Sequence, residues 1–165
     1  MIRYIIGTMV QVEAAMFLLP ALTALLFGEN RCIAAFLGTG MFCLAGGHLL
    51  KGKKPKDATI FSAEGYVSVA VCWIVLSICG AIPLYLSGYF PNPVDALFEI
   101  VSGFTTTGAT ILGDVEVLPR SVLMWRSFSH WIGGMGVLVF ILALLPMAGA
   151  SSMYLMRAES PGPSV

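Results

Sequence analysis

The sequence predicts an all-α membrane protein with four transmembrane helices and one re-entrant helix followed by a loop. Three observations predict it. Apolar residues make up 58% of the 165-residue chain and charged residues only 11%, against about 25% charged in an ordinary soluble domain. Four apolar stretches reach the roughly 20 residues that a helix needs to cross a bilayer. Between the third and fourth lies a segment with a strong helix start that is only about half that long.

The first span covers residues 5–27 and ends at the polar Gly28-Glu29-Asn30-Arg31. The second, 32–50, runs into Lys51-Gly52-Lys53-Lys54-Pro55-Lys56-Asp57. The third covers 58–87, with Pro83 expected to kink it near its far end, and the fourth covers 121–148. Three units follow: a leading transmembrane pair with a basic loop (1–57), a repeat of helix, short helix and helix (58–150), and a tail (151–165). Lysine and arginine mark the cytoplasmic side, and the four lysines of 51–57 assign that loop there. Even crossings then put Arg3 and Arg157 inside, and Asp114, Glu116, Arg31 and Arg120 outside. A secretory leader is disfavoured, because Gln11 and Glu13 interrupt the first apolar run and no small-residue cleavage site follows.

The short segment, 94–104, would reach only roughly 16 Å as a helix, so it must dip in and return. Asn92-Pro93-Val94-Asp95 supplies an N-cap, a proline at the first helical position and an acid in the first turn. Residues 105–110 are the expected return strand. Irregular backbone at membrane depth is tolerated only where protein covers it or where it lines a water-filled cavity. Thr105, Thr106, Thr107, Gly108, Ala109 and Thr110 therefore read as the lining of an ion path, with carbonyls facing a dehydrated cation. Gly108 can adopt backbone angles closed to other residues, and the threonines add hydroxyls. The alternative is an extracellular Thr/Gly-rich loop. A phosphate-binding loop is set aside, because Ala109 stands where the lysine belongs and no strand precedes it.

On the fourth span Arg126 and His130 are four residues apart, and Gly133, Gly134 and Val137 continue that face. A cation at that depth needs a carboxylate or carbonyls, and Glu99 on the short helix is the expected partner. Arg126 would brace the loop from behind, His130 would pack and hydrogen-bond, and Gly133, Gly134 and Gly136 would allow close helix packing. Glu13, mid-span, is either a proton or cation site or a protonated or paired interhelical residue. Cys32, Cys43, Cys72 and Cys79 lack metal-ligand spacing and read as small apolar residues. Neither paired acids nor a nucleophile–base pair share one depth, so no enzyme is expected.

The run Asp95-Ala96-Leu97-Phe98-Glu99-Ile100-Val101-Ser102-Gly103-Phe104-Thr105-Thr106-Thr107-Gly108-Ala109-Thr110 resembles the first pore loop of the TrkH/KtrB family of bacterial potassium-uptake proteins. The likeness continues through Leu118-Pro119-Arg120-Ser121, Trp125-Arg126-Ser127 and Trp131-Ile132-Gly133-Gly134-Met135-Gly136, and on to residues 157–163. Residues 1–50 are similar to the helix pair that precedes the pore repeats. The resemblance implies four helix–pore-helix–helix repeats around one potassium path, complete pores paired as homodimers, and a cytosolic nucleotide-binding regulatory ring. By position it implies K+ ligands at Thr106 and Thr107, the selectivity glycine at Gly108, and Arg126 holding the loop. K+ would be the transported ion, with no covalently bound cofactor and no nucleic-acid partner. The expected location is the bacterial inner membrane, multi-pass, in contact with lipid. Only the leading pair and the first repeat are present, so the remaining repeats are expected from the same or a split protein. A non-conducting subunit that binds partner helices is the alternative.

Overall fold

A computed structural model describes residues 2–51 and 62–144, with side chains for 3–51 and 67–136. All regular structure among the described residues is helical. Helices α1 (Ile2–Met16) and α2 (Leu18–Phe27) are halves of one span, Arg3–Phe27. The sequence suggested an unbroken helix. Pro20 has no N–H for the Met16 carbonyl and its ring crowds that carbonyl, so the break falls at Phe17. Gly28, at φ 71°, closes α2. Glu29 N–H donates to Ala24 O at 2.9 Å and Gly28 N–H to Leu25 O at 3.4 Å, the paired bonds of a Schellman cap. Helix α3 (Asn30–Lys51) then returns along α1. The two meet at Gly7 and Gly47, where a Cβ on Gly47 would stand 2.8 Å from the Gly7 carbonyl oxygen.

Helix α4 (Ser62–Ser87) contains Pro83, α5 spans Pro93–Phe104 and α6 spans Arg120–Leu144. Arg3–Phe27, Asn30–Lys51 and Val67–Ser87 are each long and apolar enough to cross a membrane. The 25 residues of α6 extend roughly 37 Å at about 1.5 Å per residue. Residues 52–61, which hold most of the basic loop and the predicted start of the third span, lie outside the described residues, as do 145–165.

Helix α5 begins as its sequence suggests, with Asn92 Oδ1 accepting the Val94 N–H at 3.1 Å and Pro93 in the first turn. It does not cross. Its last residue, Phe104, packs on Trp73 with ring centroids 5.7 Å apart, and its backbone lies against Gly133. Both contacts fall near the middle of their helices. The chain then turns back to Arg120, whose N–H meets Glu29 of the α2–α3 turn. The α2–α3 turn and the start of α6 therefore sit at one end of the bundle, and Arg31, lying against Gly88, brings the α4–α5 connection to the same end.

The core joins the leading hairpin to the repeat through rings. Trp125 is fully buried, with its centroid 4.7 Å from Phe17, 6.4 Å from Phe36 and 6.5 Å from Phe104. Its indole N–H donates to Gly80 O at 3.0 Å, which satisfies the one polar atom of the ring. Cys32, Cys43 and Cys72 are buried free thiols, and Cys79 is half-buried. Glu13 is buried in this core, and neither carboxyl oxygen has a hydrogen-bond partner among the described residues. The paired interhelical reading of Glu13 finds no partner there. Trp131, by contrast, is 55% exposed. Trp125→Ala should cost about 3–5 kcal/mol and Trp131→Ala no more than about 0.5 kcal/mol. Thermal unfolding in detergent measures both, and equal losses would contradict this core.

Candidate functional site

The segment after α5 is built by the needs of that helix. The last carbonyls of a helix have no partner within it, and here the following residues turn back to meet them. Thr105 N–H donates to Val101 O at 2.9 Å, Thr106 N–H to Gly103 O at 2.9 Å and Thr107 N–H to Ser102 O at 3.0 Å. The last two bonds form a Schellman motif, whose turning residue needs a left-handed backbone and is usually glycine. Here it is Thr106, at φ 57°, the one non-glycine with positive φ among the described residues. Gly108 follows at φ 74°. The start of the expected return strand is thus turned at Thr106 and Gly108, and the amides of 105–107 are drawn inward to the helix end.

This arrangement separates the loop's donors from its acceptors. Among the described residues, no hydrogen bond reaches the carbonyls of Thr106, Thr107 or Gly108. Residues 105–110 are exposed. The hydroxyls brace the turn: Thr105 Oγ1 donates to Val101 O at 2.7 Å, Thr106 Oγ1 donates to Thr105 O at 2.7 Å, and the Thr105 and Thr107 hydroxyls lie 2.8 Å apart. Ser102 Oγ donates to Ala109 O at 2.6 Å. The negative end of the α5 dipole thus abuts a rim of unbonded carbonyls, an arrangement that attracts a cation.

Glu99 and Arg126 meet behind the loop. Arg126 Nε donates to Glu99 Oε2 at 2.8 Å, and its terminal nitrogen lies 2.6 Å from the same oxygen. The other oxygen, Oε1, accepts Thr110 Oγ1 at 2.6 Å and the Ile111 N–H at 2.9 Å. The Glu99 side chain is fully buried. One carboxylate therefore ties α5, α6 and the returning chain together. His130 Nδ1 is 2.8 Å from Arg126 O, and its Nε2 faces Gly108, 4.0 Å from where a Cβ would stand.

The three glycines of α6 differ in their surroundings. A Cβ on Gly133 would collide with the Phe104 carbonyl, and one on Gly136 would stand 2.8 Å from the Trp73 ring. Gly134 has only the Thr106 methyl nearby, at 3.9 Å. Two residues and the backbone role of a third escaped sequence reasoning. Ser102 and Gly103 hold the loop through a hydroxyl bond and a close approach to Ser129, and Thr106 supplies the left-handed turn. The pairing of Gly103 and Ser129 could not be read from spacing, and threonine carries no signal for positive φ.

Residues 33–165 match the model of the family described as TrkH, cation transport protein. The chain belongs to the TrkH family. A cation transporter of Methanocaldococcus jannaschii is 39% identical over 160 residues, covering 96% of this chain and 33% of that protein. The TrkH family protein of Escherichia coli K12, a Trk system potassium uptake protein, is 40% identical over 167 residues, covering 98% and 34%. Its counterpart in Halomonas elongata is 34% identical over 164 residues, covering 99% and 34%. The chain spans about a third of the length of these TrkH relatives. TrkH family proteins are membrane transporters rather than enzymes.

Two tests follow from the geometry. Arg126→Gln leaves Glu99 buried without its cation and should destabilise by about 3–5 kcal/mol. Adding Glu99→Gln should recover part of that loss, so a double-mutant cycle in thermal unfolding should give strong coupling; additive losses would deny it. Gly133→Ala should displace α5, detectable as faster amide exchange at 101–107, whereas Gly134→Ala should leave exchange unchanged.

Proposed function

We propose that this chain supplies one of the four pore loops of a Trk-type potassium uptake protein, coordinating K+ with backbone carbonyls of Thr106, Thr107 and Gly108. The observation that carries this reading is the division of the loop's polar groups. The amides of 105–107 are occupied by the end of α5, while the carbonyls of 106–108, in exposed residues, accept nothing among the described residues. Replacing a hydration shell takes such oxygens, and a single loop cannot surround an ion. The remaining repeats, from the same or a split protein, complete the ring. The names of the relatives, Trk system potassium uptake proteins, support the choice of ion.

In this reading the protein is a multi-pass inner-membrane protein with its lysine-rich loop in the cytoplasm and the α2–α3 turn outside. Arg126 and Glu99 hold the filter loop in place and do not touch the ion. Complete pores pair as homodimers and answer to a cytosolic nucleotide-binding ring. Transport makes no covalent bond, so selectivity lies in geometry alone.

Cation flux into liposomes tests this. The chain alone should give no flux, and the pore completed by the other repeats should favour K+ over Na+. Gly108→Ser places a Cβ at φ 74° and should cut the K+ to Na+ ratio roughly tenfold, as a strain of about 1–2 kcal/mol implies. An unchanged ratio would overturn carbonyl coordination at this loop. Selective flux from the chain alone would mean that copies assemble the ring.

A further inference from the structure

At the α2–α3 turn the leading hairpin makes a cluster of polar contacts with the repeat. Glu29 Oε1 accepts the Arg120 N–H at 2.7 Å, Oε2 accepts the Ser121 N–H at 3.1 Å, and Ser121 Oγ also donates to Oε2. A side chain about ninety residues away thus satisfies two of the unpaired amides that begin α6, and its negative charge complements the dipole there. Arg120 lies over the Phe27 ring, 4.4 Å from its centroid. On the other side of the turn, the Arg31 guanidinium lies against the Gly88 backbone, 2.7 Å from where a Cβ would stand. Gly88 follows the last turn of α4 at φ 82°. One short turn therefore holds the end of α4 and the start of α6, the two helices that flank the re-entrant unit.

We infer that Glu29, supported by Arg31, is a positioning residue for the filter loop: the tip of the leading hairpin sets the placement of α6 and so the geometry of residues 105–111. The route is short. From Arg120, α6 continues without a break to Arg126, roughly 9 Å along the axis, and then to His130 and Gly133. Those three residues meet the re-entrant unit at Glu99, beside Gly108 and at Phe104. A close-packed helix transmits displacement rather than absorbing it. Losing the Glu29 bonds lets α6 slide or turn, and all three contacts shift together. Gly28 makes the arrangement possible, because its left-handed turn brings Glu29 round toward α6.

This inference rests on the proposed transport role for its consequence in selectivity, but not for its structural content. Two readouts keep the two apart. In the full chain in lipid nanodiscs, Glu29→Ala should speed amide exchange at 105–108 by roughly five- to tenfold, the scale of a lost helix cap. Glu29→Gln, which keeps one acceptor oxygen, should fall between wild type and Ala and guards against outright misfolding. Acceleration confined to 120–123 would overturn the inference and leave Glu29 a local cap. In the completed pore, Glu29→Ala should lower the K+ to Na+ flux ratio severalfold at equal amounts of inserted protein. An unchanged ratio, in a pore where Gly108→Ser does lower selectivity, would overturn the positioning role while sparing the transport reading. If neither substitution alters selectivity, the transport reading fails, and the exchange result alone judges the bracket.

Discussion

A carboxylate in the low-dielectric interior of a membrane protein must be matched by donors or cations, and Glu99 is matched from two directions. Arg126 reaches one oxygen from α6, and Thr110 with the Ile111 amide reaches the other from the returning chain. The pair is not a source of great net stability, since burying both charges offsets much of their attraction. Its effect is to leave few alternatives. With α6 on one side and the returning chain on the other, any other course for residues 105–111 would strip a buried carboxylate of its donors. The left-handed turn at Thr106 is held in the same way: its backbone strain is tolerated because it satisfies the terminal carbonyls of α5.

The leading hairpin is tied to that unit at two levels. At the hairpin tip the ties are polar, through Glu29 and Arg31. Halfway down they are aromatic, with Phe17 and Phe36 packed on Trp125, which in turn touches Phe104 of the re-entrant helix. The hairpin's own two strands of helix are held close by the paired glycines 7 and 47, the small-residue contact that lets helices associate where lipid supplies no hydrophobic drive. Glu13 is the exception in this design. It lies at the same depth as Gly80, Ile100 and Trp125 yet has no hydrogen-bond partner among the described residues, in sharp contrast to Glu99.

Exposed apolar side chains lie on the hairpin as well as on the repeat, Leu26, Met41 and Phe42 among them. Residues 105–110, Trp131 and Met135 are exposed on the repeat, and the chain spans about a third of the length of its relatives.

The sequence by itself determined the class and the order of elements. Hydropathy and span length follow from bilayer thickness, and the start of α5 follows from Asn92 and Pro93, because caps depend on neighbours in the chain. The need for a partner to Arg126 was also legible, since a buried cation is costly whatever its surroundings. Tertiary structure alone decided the rest. The glycines of α6 divide into close-contact and open positions only once α5 and α4 are packed against them. The turn at Thr106 closes bonds to the end of α5 only a few residues back, yet threonine gives no signal for positive φ in a sequence. Glu29 is the extreme case: its partners are about ninety residues distant, and no period or motif in a linear sequence encodes which helix start a turn will reach.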